Sequence, residues 1–99
     1  MKPTKQEVDG TSFHGDTLYT SVKELIRVCG EPVYDGNDGQ DKVNFEWHME
    51  TSKGDVFTIY DWKEYRSLDL EEGVDFHIGG HSHQVTKRGY QEILDELQK

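Results

Sequence analysis

The sequence predicts an α+β fold: a small antiparallel sheet, made of a hairpin and a third strand, with two helices packed on one side of it. Three observations carry that prediction. Residues 43–51 alternate apolar and polar, as a strand with one buried face does. Val56–Trp62, VFTIYDW, returns after the turn Ser52–Asp55 and is rich in the β-branched and aromatic residues that fit a pleated surface. Two further stretches, after Ser21 and after Ser82, repeat apolar residues at helical spacing behind a capping serine.

Taken in order, residues 1–10 are polar and form an expected flexible lead-in, with 11–99 as a single α+β domain. Thr11–Gly15 is a short segment closed by a glycine. Ser21 and Glu24 set out a capping box, in which each side chain satisfies the other's backbone N–H. Val22, Leu25, Ile26 and Cys29 then share one helix face, Gly30 takes the left-handed stop and Pro32 prevents continuation. Asp35–Asp41 is a turn cluster. Its Asp/Asn/Gly content suggests a calcium loop, but counting from Asp35 the sixth position is Gln40 where an EF-hand requires Gly. In the hairpin, Val43, Phe45, Trp47 and Met49 face inward, and Asn44, Glu46, His48 and Glu50 face outward. The returning strand has Phe57, Ile59 and Asp61 on one face and Val56, Thr58, Tyr60 and Trp62 on the other. Neither face is polar throughout, so a second cover, a partner subunit or a ligand, is expected. Ser67–Gly73 is an acidic connector. Val74–Ile78 is the third strand, and Gly79-Gly80-His81-Ser82 leads into the closing helix, whose Val85, Gly89, Ile93 and Leu97 face the sheet.

Composition limits function. A chain of 99 residues with 32 % apolar content, no alanine and eleven aromatics builds one modest core, and such domains often gain stability by associating. A net charge of −9 argues against a broad duplex-binding surface but not against a local basic pocket for a small anion. The one cysteine, Cys29, makes no intrachain disulfide, which fits a reducing compartment. No apolar run approaches the ~20 residues of a membrane span. MKPTKQEVDG lacks the apolar core of a signal peptide, so none is expected.

Three constellations could carry chemistry. Tyr60, Trp62, Lys63, Tyr65 and Arg66 cluster aromatic rings and cations at the end of a strand: rings stack on bases, and Lys and Arg hold phosphates. The competing reading is a core strand with solvated charges. Gly79, Gly80 and Ser82, between a strand and a helix start, could let an anion approach backbone N–H groups, although the spacing matches no phosphate-loop motif. His77, His81 and His83 could ligate zinc, but no fourth ligand accompanies them; no metal and no cofactor is predicted, and these rings serve equally as hydrogen-bond donors. A hydrolase would draw its base from Asp61, Glu64 or His77, yet no activated nucleophile is evident, so a non-enzymatic role is favoured.

Four pieces, Ser12–Gly15 (S-F-x-G), Ser21–Pro32 ending G-E-P, Phe57–Arg66 (F-T-I-Y-D-W-K-E-Y-R) and Phe76–Ser82 (F-H-I-G-G-x-S), together resemble a widespread group of small bacteriophage proteins. The resemblance extends to the anti-CBASS nucleotide sponges. It implies a homo-oligomer, with a tetramer favoured, that sequesters cyclic dinucleotide immune signals such as 3′,3′-cyclic GMP-AMP in the host cell cytoplasm without cleaving them. The candidate ligand residues, from the chemistry above, are Tyr60, Trp62, Lys63, Tyr65, Arg66, His77, Gly79, Gly80, His81 and Ser82. The alternative is an acidic protein-binding antagonist, such as a DNA mimic that blocks a host defence enzyme; a structural phage protein is a third possibility.

Overall fold

The computed structural model describes residues Met1–Lys99. Its elements are β1 (Lys2–Pro3), β2 (Ser12–Thr20), α1 (Val22–Cys29), β3 (Tyr34–Asp35), β4 (Phe45–Glu50), β5 (Val56–Tyr60), β6 (Val74–Gly80) and α2 (His83–Leu97). The α+β class is as the sequence predicts, but the sheet has six strands, all antiparallel, in the order β1-β4-β5-β6-β2 with β3 also on β4.

The hairpin forms where expected. Trp47 pairs with Ile59 and Met49 with Phe57, and Thr51 and Asp55 close the turn with a backbone bond of 2.8 Å. Alternation puts Trp47, Phe57, Ile59, Phe76 and Ile78 on one face, all buried. Both helices lie on that face. Val22, Leu25 and Cys29 of α1 and Ile93 of α2 complete the core, and a Cβ on Gly89 would come within 2.7 Å of the Phe57 ring, so α2 approaches the sheet closely. Burying such aromatic and aliphatic side chains is the main source of stability. The Trp47 indole N–H also donates to the Gly30 carbonyl at 2.9 Å, tying the end of α1 to the sheet.

Four local expectations are corrected. The lead-in is not simply loose: Lys2–Pro3 pairs with Met49–Glu50, and residues 4–11 carry the chain from this edge of the sheet to the other. Ser12–Gly15 and the residues after them, to Thr20, form one long edge strand, β2. The capping box is half made: Ser21 accepts from the Glu24 N–H at 3.2 Å, while the Glu24 carboxylate is held by Arg27. On α2, Thr86 rather than Val85 leads the buried ridge. Helix α1 gains another partner from the acidic connector, because the Leu70 carbonyl accepts from the Lys23 N–H at 2.9 Å.

Candidate ligand-binding face

The strand alternation that buries one face of the sheet leaves the other open at one end only: Val56 and Thr58 on it are buried, whereas its Tyr60 end is half-buried. Register places Tyr34, Glu46, Tyr60, His77 and Thr17 side by side across β3, β4, β5, β6 and β2. Phe13 of β2 lies flat on His77, with ring centres 4.0 Å apart and planes at 19°. Tyr60 is 5.5 Å from His77, and Trp62 stands edge-on to Tyr60 at 6.0 Å and tilted to His77 at 6.2 Å. The result is a four-ring platform. Phe13 keeps 43 % of its surface exposed and Trp62 39 %, so these rings remain available to a ligand. The ammonium groups of Lys42 and Lys63 stand 5.9 and 5.5 Å from the Trp62 ring centre, within cation–π range.

A buried polar network holds the rim. The Asp61 carboxylate is wholly buried and accepts from the Asn44 N–H (2.9 and 3.1 Å), the Phe45 N–H (2.8 Å) and the Asn44 side-chain amide (3.0 Å). The same Asn44 amide donates to the Arg66 carbonyl at 2.9 Å. Asn37 exchanges two bonds with Leu68 across the neighbouring turn. The Lys63 N–H donates to the Lys42 carbonyl at 2.7 Å, which joins the two cation-bearing loops. Within this frame Lys63 and Tyr65 adopt left-handed backbone, φ 57° and 51°. Such a conformation costs on the order of 1–3 kcal/mol per residue and persists only where surrounding contacts enforce it, often at functional sites.

The platform brings together Tyr60, Trp62, Lys63 and His77 and separates them from the other candidates. Arg66 is clamped in a two-pronged pair with Glu72 at 2.7 and 3.1 Å, which raises its guanidinium pKa further. The Tyr65 ring is exposed but joins none of the platform rings. Gly79 and Gly80 are strand residues, not a loop: both pair with β2 and β5. A Cβ on Gly79 would meet Thr58 Oγ1 at 2.6 Å and one on Gly80 would meet Thr86 Oγ1 at 2.6 Å, so these glycines permit close packing, not an anion cradle. Ser82 caps α2 by accepting from the Val85 N–H at 3.1 Å. The His81 ring lies beside Gly10, and His83 stands edge-on to His14 at 6.0 Å. His77 is thus apart from the other two, and no group of three His, Cys, Asp or Glu side chains converges on one point. Asp61, considered as a hydrolytic base, is a structural acceptor sealed from solvent. Asn44, expected outside, is buried with it.

Electrostatics complete the site. Burial pushes the His77 pKa below its ordinary value, against a smaller upward pull from Asp75, so the ring is neutral at neutral pH. Burial and the nearby Glu46 charge raise the Tyr60 hydroxyl pKa. Glu46 itself pairs with His48 at 2.5 Å. The Cys29 thiol is pushed up to about 12 by burial, which makes it a core residue and no nucleophile. Comparison with protein-family models, with curated proteins and with solved structures gives no match. No helix is long and apolar enough to cross a membrane.

Phe13, Lys42 and Glu46 are the platform residues that the sequence pattern did not single out as ligand contacts. Phe13 carries a signal, an aromatic two residues before a glycine in a polar stretch. Lys42 carries none, because a loop from another part of the chain brings it to Trp62.

Proposed function

We propose that the open face binds a flat, anionic nucleotide, of the cyclic dinucleotide class, and withholds it from its receptor without cleaving it. The observation that carries this is the distribution of free cations. Six of the eleven Lys and Arg side chains lie in ion pairs with carboxylates. Of the other five, Lys42 and Lys63 both stand beside Trp62, the exposed ring at the platform's edge. Rings for a base and unpaired ammonium groups for a phosphate are what a nucleotide needs. The rest of this −9 molecule repels larger polyanions, so the attraction is confined to one patch.

The surface cavities lie away from the platform, along α2, beside α1 and at the N-terminus. One face therefore covers one side of a base. A second copy of the chain would cover the other, as in the homo-oligomer that the phage sponge resemblance implies. The test is to incubate the protein with cyclic di- and trinucleotides, denature it by heat and identify what is released. Intact nucleotide supports sequestration. Altered nucleotide makes the protein an enzyme, and no captured nucleotide favours the acidic antagonist.

A further inference from the structure

We propose that Glu46, at the edge of the aromatic platform, makes the site selective for guanine over adenine. This rests on the nucleotide-binding reading above and adds the choice of base. Glu46 is the direct cross-strand partner of Tyr60 on one side and of Tyr34 on the other, so its carboxylate shares the open face with both rings. Directly opposed side chains of a sheet lie about 4.5–5.5 Å apart at Cβ, close enough for a base stacked on the platform to present its edge to Glu46. The side chain keeps 31 % of its surface. His48 occupies Oε2 only, and Oε1 has no partner in the molecule.

A carboxylate is an odd neighbour for a phosphate-bearing ligand. Its charge opposes the phosphates that Lys42 and Lys63 attract, so in this site it is useful only toward a donor. An ionised carboxylate accepts and cannot donate, and it matches two N–H groups side by side. Guanine offers that arrangement on its pairing edge, N1–H beside the N2 amino group. Adenine offers one N6 amino hydrogen next to the N1 lone pair, which a carboxylate oxygen repels. A glutamine in the same place presents an amino donor beside a carbonyl acceptor, which suits adenine better.

The experiment compares cyclic di-GMP with cyclic di-AMP, which have equal charge and ring size and differ in the base. Equilibrium binding is measured for the parent and for Glu46→Gln, with the fold checked by circular dichroism. A well-placed two-bond contact discriminates bases by about 1–3 kcal/mol, so the parent should prefer cyclic di-GMP by about tenfold or more. In Glu46→Gln the preference ratio should collapse to near unity or invert. A parent that binds both ligands within about twofold overturns the inference but leaves the nucleotide site standing, and so does a ratio that Glu46→Gln leaves unchanged. If the parent binds neither ligand, the nucleotide reading fails and the base selectivity with it.

Discussion

The two tryptophans separate the proposed ligand binding from folding. Trp62 is 39 % exposed at the edge of the platform, whereas Trp47 is 1 % exposed at the centre of the core. Trp62→Ala should leave the fold intact and weaken nucleotide binding by about 1–3 kcal/mol, a loss of about fivefold to 150-fold in a titration. Trp47→Ala should cost about 3–5 kcal/mol in a denaturant melt, because it leaves a cavity and removes the donor to Gly30. His77 adds a pH dependence with a definite sign. Its folded pKa lies below the unfolded one, so the unfolded chain takes up the proton first as pH falls. Its share of stability is therefore fully present above the unfolded pKa near 6.5 and declines as pH drops toward the folded value. A bound phosphate favours the charged ring and works in the opposite direction. Nucleotide affinity should rise as pH falls through the same window, with proton uptake visible by calorimetry in buffers of different ionisation heat. In His77→Gln both trends should flatten.

At the scale of elements, the rim depends on Asp61. It ends the hairpin strand, fastens Asn44 and Phe45, and through Asn44 reaches the Arg66 carbonyl. Asp61→Asn turns one acceptor into a donor facing those N–H groups. It should cost about 1–3 kcal/mol in a denaturant melt, through buried donors left without an acceptor. It should weaken binding as well, since Trp62 and Lys63 ride on the same loop. The hairpin, both serine caps and the α1 stop were legible because each is set by residues close in sequence. Strand β2 was not. Its register against β6 shifts between Phe13 and Thr17, and Gly15 sits there at φ 98°, so the simple alternation that marks a strand is broken. The Asp61–Asn44 lock was also hidden. Asn44 sits at an outward position of an alternating pattern, and only the loop folding back over the strand end buries it. Arg66 is a candidate phosphate ligand by sequence, but Glu72 claims it.

For the whole molecule, a −9 charge and a one-sided platform point in the same direction. Acidic copies repel one another, so the proposed association would be concentrated where cations and rings lie. Light scattering at micromolar concentration should show a homo-oligomer heavier than the 11.5 kDa chain, more fully formed with a cyclic dinucleotide present. A single 11.5 kDa species with and without nucleotide would remove the second cover from the proposal.

We propose that Trp62 and the two cations beside it hold an anionic nucleotide. The measurement that reaches this proposal most directly is equilibrium binding of cyclic di-GMP to the parent and to the Lys42→Ala/Lys63→Ala double variant, each at low and at moderate salt. Two ammonium groups at a phosphate make affinity high and salt-sensitive. The double variant should therefore bind at least about tenfold more weakly at low salt, and its affinity should depend less on salt. A correctly folded double variant that binds as tightly as the parent at both salt concentrations would show that these cations do not hold the ligand.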